Sequence, residues 1–504
     1  MDLKSRMNLG IDDREMEGQG QGQPVNPISQ AMSSSLLSLC VNVVFEFEEA
    51  ITDISRCTKV ITDAALPRNP LLSCIMKEDD LGVLRWQKTT VNTKNHTFIV
   101  EFPIGQDSYD ACVDEYISKL AHRPLDHSRP LWELHFLNYK TNKAKATMVF
   151  RFHHALGDGI SFMSTLFCVA RRVDNPDLPP TFPTAKTSIQ SSHSGSTLLA
   201  RFFQRLWYMM LVLWYTLVDV ISSSLRMTGW IGDSQMPIRG HPGVKNMPVA
   251  LSSATFLLED IKQIKNSVGG TVNDAITGII FHGIQRYLQI RLSADAEHSL
   301  RDAYEKRFEM PEEAVIKQMK NLRLTALCLI NMRGLAGVQN IDEMFKPKAE
   351  APWGNHFGIF PVRVPILGML ESPLEFVRRA KSKMDRHKIS LGAFVDAKIM
   401  TYLGWLKGPQ AVSRYLYSTI ANSTIAISNM IGPMEMVAID GNPIKSFSFF
   451  VSGAPQSLDL FIVSYTGVVV LQVYAQKAYV DANMLSKCFM EACEEIKKAT
   501  LKKV

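Results

Sequence analysis

The sequence predicts a mixed α/β protein organised as two sheet-centred domains, and three observations predict it. Over residues 147–158 (TMVFRFHHALGD), Met148, Phe150, Phe152 and His154 alternate with Val149, Arg151 and His153, the period of two of a strand buried on at least one face. The run ends in Gly157-Asp158-Gly159, and Ile160, Met163, Leu166, Phe167 and Ala170 then recur at helical spacing, so strand, loop and helix follow in order. The second half also mixes strands and helices without an internal repeat. At 504 residues the chain is long for a single core, so two domains are expected.

Residues 1–26 are polar, pass through GQGQGQ and read as a disordered tail, with structure beginning near Pro27. Residues 36–54 are apolar but mixed in period, and strand and helix are not separable there. Residues 69–86 read as a short helix and then a strand. In 109–121, Cys112, Val113, Tyr116, Ile117 and Leu120 share one helical face. Arg129-Pro130-Leu131-Trp132-Glu133-Leu134 leads into a strand to about Tyr139, and Thr141-Asn142-Lys143 turns the chain back into the histidine strand as a hairpin. A helix then runs to about Arg172. DNPDLPPTFP over 174–183 and the serine-rich 191–196 mark a linker. The N-terminal domain is therefore placed at 27–173, the linker at 174–245 and the C-terminal domain at 246–504.

Within the linker, 206–218 (LWYMMLVLWYTLV) carries no charge, Asp219 interrupts, and 220–225 is uncharged again. A spanning helix needs about 20 apolar residues, which this stretch reaches only by tolerating one acid. Arg201, Arg205 and Arg226 flank a helix expected over 197–227, and Trp207, Tyr208, Trp214 and Tyr215 suit a lipid interface. Membrane contact is the expectation, a buried crossover helix is the alternative, and spanning versus lying on the surface stays open.

Beyond it, a helix is expected over 272–292, strands over 322–330 and 357–366, and a helix from a Ser372-Pro373-Leu374-Glu375 capping box towards Lys388. Another helix covers 391–406. Strands follow over 424–430, 446–452, 460–465 and 468–474, and Asp481 caps a last helix to about Lys498.

A net charge of +6 is small for this length and unclustered, which excludes a nucleic-acid binder; an anionic ligand or a membrane surface would suit it. The eight cysteines form no CxxC pair and read as reduced core thiols facing a cytosolic compartment, in keeping with a polar N-terminus.

His153 and His154 carry the chemistry. Adjacent residues of a strand face opposite ways, and no further His or Cys lies nearby to complete a ligand set, so no metal site is expected. A purely structural role, with Asp158 a helix N-cap, suits His153 and Asp158 better than His154. An imidazole opening onto a Gly-Asp-Gly turn has the placing of a general base. A base suffices for acyl transfer from a thioester, because a thiolate leaves readily and only the attacking hydroxyl or amine must be deprotonated. No GxSxG elbow is present, which agrees with direct attack.

At these residues the chain resembles a known superfamily. His153-His154-Ala155-Leu156-Gly157-Asp158-Gly159 matches HHxxxDG, the signature of CoA-dependent acyltransferases with a chloramphenicol acetyltransferase-like fold. Pro130-Leu131-Trp132-Glu133, Pro237-Ile238-Arg239-Gly240, Val272-Asn273-Asp274, Asn331-Met332-Arg333, Trp353-Gly354-Asn355 and Ser428-Asn429-Met430-Ile431-Gly432-Pro433 are similar to the wax ester synthase/diacylglycerol acyltransferase branch, particularly its plant members. The likeness runs from about Pro27 to the end. It implies a two-domain fold with mixed sheets and a tunnel between the domains. It further implies His154 as general base, His153 as support, Asp158 as a structural residue held by an arginine the sequence does not identify, and Gly159 at a tight turn. Asn273 would orient substrate or donate on the oxyanion side. Pro130, Leu131 and Trp132 would line the acyl or alcohol channel. No bound cofactor is implied; acyl-CoA is the co-substrate, a long-chain alcohol or diacylglycerol the acceptor, and membrane lipid the partner. The implied location is the endoplasmic reticulum membrane, with the plasma membrane second and the active site facing the cytosol.

Two departures stand out. Asn26-Pro27-Ile28-Ser29-Gln30 follows the family's Pro-Leu-Ser-Pro opening only loosely, and Asp-Phe-Gly-Trp-Gly, the second motif of the soluble plant acyltransferases, is absent. The alternatives are an HHxxxDG acyltransferase with a smaller alcohol or amine acceptor and a non-catalytic lipid-binding protein of the same fold. The apolar linker favours the lipid acceptor, and intact His154 and Asp158 weigh against the binding protein.

Overall fold

The computed structural model describes residues 22–80, 82–183, 198–240, 247–301, 316–317, 319–333, 340–368 and 371–501. Fifteen strands occur among them. The N-terminal half supplies β1 (Cys40–Phe47), β2 (Cys74–Glu78), β3 (Leu84–Lys88), β4 (Thr97–Ile99), β5 (Trp132–Leu137), β6 (Ala146–His153) and β7 (Arg171–Arg172). The C-terminal half supplies β8 (Val249–Leu257), β9 (Thr325–Asn331), β10 (Phe357–Arg363), β11 (Ile425–Ile431), β12 (Val437–Ile439), β13 (Asn442–Ser452), β14 (Leu458–Tyr465) and β15 (Val468–Gln476). The helices that matter for the site are α1 (Pro27–Ala31), α2 (Gly159–Val169), α3 (Leu198–Met227), α4 (Val272–Arg301), α5 (Leu374–Ile389), α6 (Gly392–Lys407), α7 (Pro409–Ala421) and α8 (Ala482–Leu501).

Two mixed sheets result, ordered β4-β5-β6-β1-β13-β12-β7 and β10-β9-β11-β14-β15-β8, with β2 and β3 a separate hairpin. In the second sheet β11 runs parallel to both β9 and β14, and the other pairs are antiparallel. The expected two-domain α/β architecture is present.

Its boundaries differ from the expected ones. Strands β12 and β13, inside the segment assigned to the C-terminal domain, pair with the N-terminal sheet. Strand β13 lies antiparallel against β1, with Val43 opposite Phe449 and Phe45 opposite Phe447. The reason is burial. Seven of the eight residues of β1 are buried, so it sits in the middle of its sheet and needs a neighbour on each edge; β6 supplies one and β13 the other. Asp440 (φ 50°) and Gly441 (φ 75°) form the turn joining β12 to β13, the left-handed pair a two-residue hairpin requires. The expected tail also ends earlier. The Gly22 and Val25 N–H groups donate to the Trp86 and Leu84 carbonyls at 2.7 and 2.8 Å, so 22–25 run along β3, and Asn26 caps α1 by accepting from the Ile28 N–H at 2.8 Å; residues 1–21 lie outside the described ones.

Residues 36–54 resolve into β1 and the approach to a helix at Ile54–Ala65. Strand β8, the helix Leu258–Ser267 and α7 were not expected. Helix α5 begins without the expected capping box: Glu375 pairs with Arg378 and Arg379 instead of reaching back to Ser372. Asp481 does cap α8, accepting from the Met484 N–H at 3.0 Å.

A fragment spanning residues 22–183 would leave the β1 edge unpaired. It should aggregate and show no cooperative melting by circular dichroism, whereas a soluble fragment with a sharp transition would contradict this pairing.

Candidate active site

Strand β6 stops at His153, and His154–Leu156 form one tight turn before Asp158 caps α2 by accepting from the Ser161 N–H at 3.1 Å. The two histidines therefore part company. The His153 N–H bonds the Leu131 carbonyl just before β5, and the His154 N–H bonds the Leu39 carbonyl just before β1. The His153 ring accepts the Ala155 N–H on Nδ1 at 3.1 Å, which leaves Nε2–H for Ser38 Oγ at 3.2 Å. Burial first, then the neighbouring His127, His154 and Arg151, push its pKa down to about 3. His153 is a neutral imidazole with both nitrogens occupied.

His154 is set differently. Its Nδ1 lies 2.9 Å from Asn355 Oδ1. The Asn355 amide nitrogen donates to the His154 carbonyl at 2.8 Å and to Ser29 Oγ at 3.1 Å, so its oxygen must face the ring. Nδ1 then carries the proton and Nε2 keeps its lone pair. Burial holds the His154 pKa below the usual histidine value, although the Asp158 charge and Asn355 pull it upward. The ring is a neutral base at pH 7. No serine, threonine or cysteine side chain among the described residues is hydrogen-bonded to it.

Asp158 fixes the loop. Its carboxylate takes Arg333 in a two-pronged bond, Nη1 to Oδ2 at 2.8 Å and Nη2 to Oδ1 at 3.0 Å, and also accepts the His356 N–H at 3.0 Å. Burial alone would raise its pKa, but the Arg333 charge and these donors outweigh it and hold the carboxyl below the usual range. Arg333 donates Nε–H to the Pro352 carbonyl and shares its remaining Nη2 hydrogen between the Gly354 carbonyl and Ser161 Oγ, each at 2.9 Å, while Nη1 also reaches Asn331 Oδ1 at 3.3 Å. Trp353, fully buried, donates Nε1 to the Leu156 carbonyl at 2.7 Å. Residues 353–356 thus clamp the turn carrying His154.

His154 is 8% exposed and opens on a mainly apolar cavity of about 170 Å³ between the two sheets. Its walls include Leu39 and Val41 of the β1 side, Phe449 and Val451 of β13, Leu327 and Leu329 of β9, Ser428 and Met430 of β11, and Leu416 of α7. Asp158 and Gly159 also border it.

Three expected placements change. Pro130, Leu131 and Trp132 are buried and do not line this cavity; Trp132 bonds the Leu72 carbonyl through Nε1 at 2.9 Å and borders a separate apolar void of about 40 Å³ with Phe45 and Leu134. An apolar run beside the motif reads the same whether it faces core or channel, and here it faces core. Gly159 makes no strained turn: it is the first residue of α2, and a Cβ there would run into the Met430 thioether. Asn273 is exposed and does not line the cavity itself. It accepts from Asn429 Nδ2 at 2.5 Å, and Asn429 does line it. The adjacent Asp274 is a capping group, exchanging bonds with Thr271 at the start of α4.

Sequence reasoning missed the functions of Asn355 and Arg333. Both sit in quoted motifs, Trp353-Gly354-Asn355 and Asn331-Met332-Arg333, but their partners lie 201 and 175 residues away.

The catalytic-domain model of wax ester synthase/diacylglycerol acyltransferase matches residues 79–276, and the C-terminal-domain model of the same family matches 353–497. Wax ester synthase/diacylglycerol acyltransferase 8 of Arabidopsis thaliana is 30% identical over 90% of this chain and 91% of its own. The chain belongs to the wax ester synthase/diacylglycerol acyltransferase family. Family member 11 of the same plant is 27% identical over 98% of this chain and 99% of its own. In fold, this family acyltransferase is similar to the wax ester synthase/diacylglycerol acyltransferase of Marinobacter aquaeolei VT8, with TM-score 0.56 at 12% identity, over 95% of this chain and 100% of that one. The first condensation domain of the calcium-dependent antibiotic synthetase has the same fold, with TM-score 0.54 at 10% identity over 96% of each chain.

Arg333→Ala should destabilise this acyltransferase by about 3–5 kcal/mol in chemical denaturation, because a buried carboxylate loses its partner; a loss under about 1 kcal/mol would contradict the assignment. The folded-state pKa of Asp158 is depressed, so its contribution is present above the unfolded value of about 3.9 and is lost as pH falls through the folded value.

Proposed function

We propose that the protein transfers a fatty acyl group from acyl-CoA to the hydroxyl of a long-chain alcohol or diacylglycerol, with His154 as general base. The observation that carries this is the His154 ring, protonated on Nδ1 by its bond to Asn355 and presenting Nε2 towards an apolar cavity. As the acceptor oxygen bonds to the thioester carbonyl carbon, Nε2 takes its proton. The tetrahedral intermediate collapses by breaking the C–S bond, and the imidazolium returns the proton to the departing thiolate. Asn355 and the nearby Asp158 charge stabilise the imidazolium while it exists. A positioned base of this kind contributes about 10²–10⁴-fold. Asn273, paired with Asn429 at the cavity's edge, orients the incoming substrate. No bound cofactor takes part; acyl-CoA is the co-substrate.

The same reading places the enzyme on a membrane through α3. Phe203, Trp207, Met210, Trp214 and Leu217 recur at steps of four and three, and each is more than half exposed. The opposite side of the helix is bolted to the protein. Asp219 bonds Arg386 at 2.6 Å and His387 at 3.2 Å, and Arg226 bonds Asp233 at 3.4 Å. Helix α3 is long and apolar enough to cross a bilayer. Both flanks, however, are tied to one body: Thr181 bonds Glu435 at 2.9 Å and Phe182 packs on Phe167, while Arg226 is buried against Asp233. A crossing would need a second pass through 184–197, which is polar in sequence and carries no apolar run. The helix therefore lies in one leaflet, its exposed face among acyl chains. Beside it, Arg378, Lys381, Lys383 and Arg386 outnumber Asp385 around a groove with Tyr215, a net positive surface suited to anionic headgroups. The cytosolic face of the endoplasmic reticulum is the membrane proposed, with the plasma membrane second.

The deciding assay uses membranes from cells lacking neutral-lipid synthesis. Wild type should convert labelled palmitoyl-CoA with hexadecanol or diacylglycerol to ester, and His154→Ala should lose at least about 100-fold at unchanged protein level; equal turnover by the variant removes the base assignment. Because burial lowers the His154 pKa, the acidic limb of kcat/KM should fall below pH 6.5, activity being lost as the ring protonates. In vesicle flotation, Trp207→Ser with Trp214→Ser should reduce membrane binding about tenfold or more, and unchanged binding would contradict the α3 attachment.

A further inference from the structure

The cavity at His154 is mainly apolar along its length, with Ser428 on its wall, and carries two buried polar groups at its far end. Asp459 on β14 borders it, is 1% exposed, and has both carboxyl oxygens without a hydrogen-bonding side chain among the described residues. The Ala426 N–H of the neighbouring strand lies beside it. Gln456, 3% exposed, also borders the cavity; its amide nitrogen reaches the Ser423 carbonyl at 3.5 Å, while Oε1 has no partner among the described residues. A buried carboxyl and a buried amide oxygen on one wall are costly unless something answers them.

Strand register fixes how far this pair lies from the chemistry. Leu327, Ala426 and Asp459 form one row across β9, β11 and β14. Met430, four residues along β11, packs against Gly159 at the turn that carries His154. Four residues of parallel strand span about 13 Å, at ~3.3 Å per residue. An extended hydrocarbon covers that in about ten carbons, each 1.52 Å bond advancing roughly 1.3 Å along the chain.

We propose that Asp459 and Gln456 form a hydroxyl-binding subsite at the far end of the His154 cavity, selecting an acyl or alcohol chain that bears a second hydroxyl about ten carbons from the reacting group. A hydroxyl is the group that fits, since it donates to either oxygen and also accepts. Burial raises the Asp459 pKa to about 7, so at neutral pH the carboxyl is partly protonated and returns a bond to the hydroxyl's lone pair. An all-methylene chain leaves the Gln456 oxygen unanswered and the Asp459 carboxyl with no neighbour but the Ala426 N–H, which is how a polar site rejects the analogue lacking the group it binds.

This inference rests on the acyl-transfer reading, and one experiment separates the two. With the full-length protein in membranes, kcat/KM is compared for 1,10-decanediol against 1-decanol with palmitoyl-CoA, and for 10-hydroxydecanoyl-CoA against decanoyl-CoA with hexadecanol. In the arm whose chain enters this cavity, wild type should favour the hydroxylated member about tenfold, beyond the factor of about two for a diol's two equivalent ends. Asp459→Leu should abolish or invert the preference, and Asp459→Asn, which keeps a hydrogen-bonding side chain, should retain most of it. Turnover without discrimination by wild type, or the same ratio in Asp459→Leu, overturns the subsite alone. Absence of ester from every pair overturns the acyl-transfer reading and the subsite with it.

Discussion

The two-pronged bond from Arg333 to Asp158 is the constraint on which the site depends. Asp158 belongs to the turn between β6 and α2 in the first sheet, whereas Arg333 follows β9 in the second, so the pair fastens one half of the molecule to the other at the cavity. The guanidinium also grips the Gly354 carbonyl, and Gly354 (φ 122°) takes a backbone conformation that favours glycine. A buried ion pair is a poor source of net stability, because desolvation offsets most of the attraction. Its value here is geometric. With every polar atom of the clamp satisfied, the segment carrying Asn355 has one position relative to the turn carrying His154.

That position determines the state of the His154 ring. A carboxylate against His154 Nδ1 would raise the imidazole pKa strongly, whereas the neutral Asn355 fixes the tautomer with little upward pull, so burial prevails. A weak, unprotonated base suits a thioester, whose leaving group needs little help, and would serve an amide poorly. Asp158 contributes charge through space without touching the ring, and Arg333 tempers that charge. Adjacent histidines thus sit differently: one locks the strand end to Ser38, and the other, held by Asn355, opens on the cavity.

Much of this was legible in the sequence wherever the determining contacts are local. The alternation over 147–153 gave β6, Gly-Asp-Gly gave the turn, and the uncharged run gave α3. What stayed hidden is long-range. Cys40–Phe47 is buried at seven of its eight positions only because β13, some four hundred residues later, closes its sheet. Arg333 and Asn355 gave no local sign of their partners. Trp132 misled because packing and channel lining call for the same residue types. Asp219, read as a break in an apolar run, proved to be the contact that bolts α3 to α5.

Direct attack promoted by a lone imidazole, as proposed, puts no covalent acyl-protein on the path. Mixing the enzyme with labelled acyl-CoA in the absence of any acceptor, then following CoA release and intact protein mass on the millisecond-to-second scale, addresses that claim most directly. Direct attack predicts no burst of CoA and no mass shift until an alcohol is added. A stoichiometric burst accompanied by protein one acyl group heavier would contradict it.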